Sequence, residues 1–452
     1  MIAILKREWK SYFQNITGWL FIAAVLALYG LYFLAYNLRA GYPYVSYTLS
    51  AISFIMLIAV PILTMRSMAE ERHSRTDQLV LTAPVSLGKM IFGKFLAMVG
   101  VFTVAVAVIA VTPLVLAAFG TVPMGENYVA VLGFWLYGCT CIAVGMLASA
   151  LTESQVIAAV VAFAFLFLGY MMNSITGLIG DHLITKVLGA YDLYTPLQSF
   201  MSGCLDLTGV VYFVSVTALC LFLTCQCVQK RRWSMTTKKL TTGMFSVAMI
   251  VVGFAVAVAV NMVVKEMPSS WTAVDATSTK LYSLTDTTKD YVKNLSQDVT
   301  IYVLSSEKSA DSTLAETLQR YEDLSKHLNV VYKDPAKSPN FYQQYTDSAP
   351  SQNSMIVVSD ARSRVVDYSD IYEYSYDYST YSSSVDGYDA EGQLTSALQY
   401  VTKADSELPV IYEITGHGEN TLSGGFSEAV EKANMTVSQL TLLTEDAVPD
   451  DA

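Results

Sequence analysis

The chain is short of charge. Asp, Glu, Lys and Arg make up only 15% of its 452 residues, against roughly a quarter in ordinary soluble domains, which excludes a wholly water-exposed globular protein. Histidine is scarcer still: His73, His182, His327 and His417 are scattered along the chain, and no Ser/His/Asp or metal-ligating set can be assembled around them, which argues against an enzyme. The six cysteines all lie between Cys139 and Cys227, so the second half of the chain cannot use disulfides. Cys225-Gln226-Cys227 has no matching pair elsewhere, and reads as ordinary membrane or interface cysteines rather than a metal site. A working phosphate loop is missing too. Gly88 to Phe95 has the GxxxxGK skeleton, but Phe95 stands where a Ser or Thr must reach Mg²⁺, and the segment runs straight into an apolar stretch. Lys89 and Lys94 are read there as interface anchors.

What the chain does have is long apolar runs, and all of them sit in its first half. A bilayer core calls for about 20 apolar residues at 1.5 Å per residue. Runs of that kind lie near 17–37, 46–66, 91–118, 127–150, 155–178, 208–228 and 242–264, seven in all. Residues 1–264 hold 15 Lys/Arg and 9 Asp/Glu, formally +6, whereas residues 265–452 hold 13 and 30, formally −17. The expected organisation is therefore a membrane domain, 1–264, and a polar acidic domain, 265–452, that stops in mid-fold and is expected to continue.

Loop charge sets the expected orientation. Thirteen Lys/Arg, including Lys6, Arg7, Lys10, Arg66, Arg72, Lys94 and Lys230, fall on one side of the seven runs, and only Arg39 and Lys186 on the other. This predicts a cytoplasmic N-terminus in a cell membrane and places residues 265–452 outside the cytoplasm. Leu5 to Asn15, LKREWKSYFQN, reads as an amphipathic entry helix with no small-residue cleavage site behind it, so the segment is expected to stay as an anchor. Ionisable groups are nearly absent from the middle of the runs, which argues against an ion-coupled carrier.

Residues 68–89, between the second and third runs, carry charged and apolar residues at helical spacing and can lie along the interface or dock a partner. Residues 179–206 are too polar for a span and predict short interfacial helices. In the acidic half, 284–295, 311–328 and 391–401 read as helices, and 298–304, 329–332, 354–358, 363–367 and 410–415 as strands. Their alternation predicts an α/β domain with a mainly parallel sheet. Residues 368–390, with seven tyrosines and no Lys or Arg, read as a weakly folded surface insertion. Nucleic-acid binding is disfavoured, because it needs basic groups beside the aromatics. The strand 410–415 ends in Gly416-His417-Gly418-Glu419, a glycine-rich turn at a strand's carboxyl end where open α/β sheets place ligands. His417 and Glu419 are thus a candidate ligand or partner turn, weighed against a structural turn.

Several short motifs carry a resemblance. Ala69-Glu70-Glu71, Thr76-Asp77-Gln78-Leu79 and Leu81-Thr82-Ala83-Pro84-Val85 follow the second run, and Phe200, Gly203, Asp206 and Tyr212 surround the start of the sixth, which closes with Arg232-Trp233. The second half adds Asp275 to Leu284, Glu391 to Ala397, and Thr415 to Glu419. Together these resemble an ABC-2 type permease of the gliding-motility subclass, fused to the extracytoplasmic auxiliary domain associated with such permeases.

The resemblance implies an export-type transport subunit with no ATPase of its own. It implies a cytoplasmic ABC ATPase partner that holds ATP and Mg²⁺, and a homodimer or paired permease in the lipid bilayer. It also makes Glu70, Glu71 and Asp77 candidate ATPase-coupling residues, weighed against a solvated helix face. A membrane-anchored scaffold or sensor of a cell-envelope complex that transports nothing is the competing expectation.

Overall fold

The computed structural model describes residues 2–75, 86–179, 188–230, 239–265, 267, 272–277, 283–307, 309–377, 382–403, 408–416, 418 and 424–441. The chain divides into two compact units, Met1–Lys280 and Leu281–Ala452.

The first unit is helical. A short helix α1 (Ile2–Gln14) is followed by α2 (Ile16–Phe33), extended by a π-helical turn Leu34–Arg39, then α3 (Ser46–Thr64), α4 (Arg66–His73) and α5 (Leu87–Ile109). Next come α6 (Thr112–Ala117), α7 (Met124–Leu151), α8 (Gln155–Ile179), α9 (Thr195–Met201), α10 (Leu207–Lys230) and α11 (Lys239–Lys265). Among the described residues seven helical segments are long and apolar enough to cross a membrane, running from Ile16–Arg39 to Val247–Lys265, and each overlaps one of the seven predicted runs. Proline marks starts, as helix geometry favours: Pro113 opens α6 and Pro196 opens α9.

Helix α7 is the hub, packing against α3, α5, α8, α9 and α10. Its glycines let neighbours come close. A Cβ on Gly138 would lie 2.2 Å from the Phe102 ring, and one on Gly145 would lie 2.3 Å from Thr64 Oγ1. Close approach through small residues is how membrane helices gain dispersion contact where lipid removes the hydrophobic drive. Gly145→Val should therefore force α3 off α7 and cost about 1–3 kcal/mol, measured as a lower unfolding temperature in detergent; an unchanged temperature would refute the contact.

Two buried asparagines are fully engaged, as a low-dielectric interior favours, whereas Ser67 Oγ is buried without a hydrogen-bond partner among the described residues. Asn127 takes the Val45 N–H at 2.7 Å and donates to the Pro43 carbonyl at 3.0 Å. Asn37 donates to the Tyr42 and Tyr44 carbonyls at 2.8 and 3.0 Å and accepts from Thr48 at 2.7 Å. The two amides hold the 40–45 turn.

In the 179–206 region, 180–187 lie outside the described residues, and 195–201 form the expected short helix. Asp192 caps it, accepting from the Tyr194 and Thr195 amides at 2.9 and 3.1 Å. The motif positions around the start of α10 also acquire physical roles. Phe200 is buried against Gly133 and Gly209. Gly203 has φ +83°, a conformation suited to glycine. Asp206 accepts from the Thr208 amide at 2.8 Å at the start of α10, and the Tyr212 hydroxyl donates to the Ala190 carbonyl at 3.2 Å. Strand β1 (Cys204–Asp206) pairs antiparallel with β2 (Ala273–Asp275), so the segment after α11 returns to the segment before α10.

The second unit contains α12 (Asp286–Lys293), β3 (Val299–Val303), α13 (Ser312–Leu324), β4 (Leu328–Tyr332), β5 (Met355–Val358) and β6 (Ser363–Val366). It continues with β7 (Tyr372–Asp377), β8 (Ser382–Tyr388), α14 (Ala390–Thr402), β9 (Val410–Thr415), α15 (Gly424–Lys432) and β10 (Thr436–Thr441). Strand alternation buries Val299, Ile301 and Val303 of β3. Helical spacing buries Leu314, Leu318 and Tyr321 of α13, and Leu394, Ala397, Leu398 and Val401 of α14, in the same core.

The main sheet has the order β4-β3-β5-β6 and corrects the expectation of a mainly parallel sheet. Only β3/β4 is parallel; β3/β5 and β5/β6 are antiparallel. The reason lies in the connections. β3 and β4 are joined through α13, but β5 and β6 by a tight turn closed by the Ser359 amide and the Arg362 carbonyl at 2.9 Å, and a tight turn can join only antiparallel strands. A separate parallel pair, β9/β10, is joined through α15. The tyrosine-rich stretch is also more ordered than expected: β7 and β8 form an antiparallel ladder. Tyr372 donates to Asp311 at 3.2 Å, and the Tyr388 hydroxyl lies 2.9 Å from that of Thr317, which anchors the ladder's base on α13.

The Glu391–Ala397 motif joins three helices. Glu391 accepts from the Thr285 amide and hydroxyl at 2.8 and 2.6 Å, at the N-cap of α12. Tyr321 donates to the Glu391 carbonyl at 3.1 Å and sits 2.8 Å from the Thr395 hydroxyl; burial pushes its phenol up, so it stays a neutral donor.

Asp367 is a pH-sensitive point of the unit. Burial raises its pKa, but hydrogen bonds from the Ser351 hydroxyl at 2.6 Å, the Ser351 and Ser369 amides at 3.0 Å each, and the Ser369 hydroxyl at 2.9 Å outweigh burial. The carboxyl is held well below its usual range. A depressed folded-state pKa contributes stability that is present above the unfolded value near 3.9 and is lost as pH falls below it. Hydrogen exchange across 351–369 is expected to accelerate as pH falls below about 4, relative to the intrinsic rate, and Asp367→Asn should remove that acceleration. The same acceleration in the variant would assign it to another group.

Candidate functional site: the charged end of the helical unit

Three helices meet at the end of the first unit that carries α4. Helix α1 is amphipathic: Ile4, Leu5, Glu8, Tyr12 and Phe13 face inward, while Lys6, Arg7 and Lys10 are exposed. It lies on α5, where Gly100 leaves room for the Trp9 ring; a Cβ there would fall 1.6 Å from it. Phe13 bridges Trp9 and Trp19 at 5.2 and 5.4 Å between centroids, and Trp19 Nε1 donates to the Phe13 carbonyl at 2.9 Å. Asn15, extended at φ −92° and ψ 155°, breaks α1 from α2.

Helix α4 continues α3 past Met65. Ser149 of α7 enters the break, accepting from the Met68 and Ala69 amides at 3.1 and 3.0 Å and donating to the Met65 carbonyl at 3.0 Å. A hydroxyl inserted into the ladder is a recognised cause of a bent helix. It pins the start of α4 to the hub. At its other end, Arg72 pairs with Glu153 at 2.7 Å and donates to the Leu151 carbonyl at 3.4 Å.

Between these helices lies a charge cluster. The Lys94 ammonium of α5, only 4% exposed, sits 2.6 Å from Glu71 Oε1, 3.7 Å from Glu8 Oε1 and 2.9 Å from the Ser67 carbonyl. Arg7 completes it, 2.6 Å from Glu8 and 3.5 Å from Glu71. Two cations and two carboxylates thus join α1, α4 and α5. Neighbouring Glu70 points elsewhere: its side chain is 54% exposed and, among the described residues, its ion pair is a long one to Arg66 Nε, at 3.9 Å.

Glu70 and Glu71 therefore differ in kind. Glu71 is held inside the cluster, and Glu70 is presented outward. Asp77, His417 and Glu419 lie outside the described residues, as does the 76–85 stretch of the connector. Gly416 and Gly418, which flank His417, have φ +115° and +88°. The GxxxxGK skeleton is part of α5 and forms no loop. Lys94 is a buried ion-pair partner, where the sequence suggested an interface anchor. The sequence reading does not include Glu8 or its pairing with Lys94 among its candidates; Glu8 on the apolar face of an amphipathic helix is the available signal. Among the described residues no group of three His, Cys, Asp or Glu side chains is placed to hold a metal.

Residues 39–228 match the family model described as ABC-2 family transporter protein. Residues 278–371 match a domain of unknown function, DUF7088. Neither the curated proteins nor the solved structures give a match to this chain.

Proposed function

We propose that this multi-pass membrane protein, an ABC-2 family transporter domain fused to a domain of unknown function, is the membrane-spanning subunit of an ATP-driven exporter powered by a separate ATPase. The observation that carries the reading is the family match over 39–228, which spans α3 to α10 and includes α4. In this reading the N-terminus is cytoplasmic, as the 13-to-2 distribution of Lys/Arg in the loops supports. The Leu281–Ala452 unit then lies outside the cytoplasm, where it gates, guides or recruits substrate in the manner of a gliding-motility system.

Helix α4 is the surface offered to the ATPase. Glu70 makes the contact, Asp77 extends it along the connector, and Glu71 fixes the helix through Lys94. Force applied at α4 would pass to α7 through Ser149, to α5 through Lys94 and to α1 through Arg7. ATP and Mg²⁺ belong to the partner, and two permease copies, or two related ones, form the pathway.

The test is purification from native membrane in mild detergent, with mass spectrometry and an ATP hydrolysis assay. Near-stoichiometric recovery of an ATP-binding-cassette subunit with hydrolysis is expected. Recovery of envelope proteins alone would sink the transport reading in favour of a scaffold.

A further inference from the structure

Strand β6 ends the main sheet, and its outer edge meets a cavity of about 560 Å³ within the second unit. The cavity is walled by Ser363, Arg364 and Val365 of β6, Tyr400 of α14, Glu431 of α15 and Val437 of β10, among others. The register determines which backbone groups face it. Ser359 donates to Arg362 across the turn, and Val357 opposes Arg364, so the amides and carbonyls of 362, 364 and 366 turn toward β5. Those of Ser363 and Val365 turn the other way, toward the cavity. Among the described residues no strand pairs with that edge.

The polar wall is built and positively biased. The Arg364 guanidinium is held by the side chain of Asn434 and by the Glu431 carbonyl at 3.0 Å, and lies 5.3 Å from the Tyr400 ring centroid. Arg362, next to the lining rather than part of it, lies 4.9 Å from the same centroid and donates to the Lys403 carbonyl. Asn434 stands in the left-handed region, at φ 57°, where it terminates α15, with the Met435 amide donating to the Val430 carbonyl at 3.1 Å. Glu431 is the opposing charge, but its carboxylate is 79% exposed at the rim and 3.9 Å from Arg364. Two guanidiniums on one ring are notable in a half of the chain with 13 Lys/Arg and 30 Asp/Glu.

We propose that this cavity binds an extended peptide with acidic side chains, which pairs its backbone with Ser363 and Val365 and sets a carboxylate near Arg364. Addition of a strand to an open sheet edge is an established mode of peptide recognition, with main-chain hydrogen bonds giving affinity and side-chain pockets giving specificity. Val365 and Val437, with Leu408 and Met435, supply the apolar part of the lining. Complementary charge selects acidic over basic partners. The proposal does not depend on transport, since binding is read without ATP.

The probes are capped six-residue peptides alternating Asp with Val and Lys with Val, titrated by fluorescence anisotropy against the full-length detergent-solubilised protein. The Asp peptide is expected to bind at least tenfold more tightly, to weaken with added salt, and to weaken again with Arg364→Gln. Val365→Pro deletes an edge amide that β5 does not use, a position where sheets tolerate proline, and should abolish binding while hydrogen exchange in β5 is unchanged. An Asp peptide N-methylated at alternate amides, tested on the unaltered protein, should also fail to bind. Equal affinity for the two peptides, binding of neither, or full binding of the N-methylated peptide would overturn the assignment.

Discussion

Lys94→Met should be among the most damaging single substitutions in the helical unit. It takes from Glu71 and Glu8 an ammonium that both carboxylates now face, while Arg7 stays at 3.5 and 2.6 Å from them. Breaking a buried ion pair by removing one partner costs on the order of 3–5 kcal/mol, because the remaining charge is stranded. Glu71 and Glu8 retain 21% and 17% exposure, so water reaches them and the loss belongs toward the lower end. The measurable outcome is an unfolding temperature in detergent several degrees lower, with faster hydrogen exchange in α1 and α4, the helices tied to Lys94. The neutral pair Lys94→Met with Glu71→Gln should recover most of the loss, since replacing both partners removes the stranded charge. If the single variant melts with the parent, or the double is worse than the single, the cluster is not what joins these helices.

The same cluster shows where sequence reading reached and where it stopped. The seven spans were legible because bilayer thickness demands long uninterrupted apolar runs, a property of consecutive residues. The helices Ser312–Leu324 and Ala390–Thr402 and the strand Val299–Val303 were legible for a similar reason, since each buries one face at its own period. Lys94 was not legible, because its partners on α1 and α4 are brought to it by packing, and at the head of an apolar run it resembles any interface lysine. Adjacent Glu70 and Glu71 are identical by type and separated only by which side of α4 each occupies. Strand direction failed for a topological reason: helix and strand alternation suggested crossovers, whereas β5 and β6 are linked by a turn. The tyrosine stretch was underestimated because its composition is polar, while Tyr372 and Tyr388 find partners at the N-cap of α13 and on the helix itself, Asp311 and the buried Thr317, that composition does not reveal.

Glu70→Lys should leave the fold intact and weaken association with the proposed ATPase subunit about tenfold or more, equivalent to about 1.4 kcal/mol. The side chain is more than half exposed, and its contact with Arg66 at 3.9 Å is long and solvent-screened, so reversing it disturbs little inside the unit. At a charged interface the same reversal sets like charges against each other, and rim charges act mainly on association rate and its salt dependence. The contrast with Glu71 makes the experiment decisive. Glu71→Gln removes the 2.6 Å partner of Lys94 and should lower the unfolding temperature, with any loss of ATPase binding following the loss of α4. Co-purification across a salt series, with the unfolding temperature measured in parallel, separates the two behaviours. Glu70→Lys protein that retains the ATPase at every salt concentration would show that α4 is a solvated face and that the contact lies elsewhere on this chain.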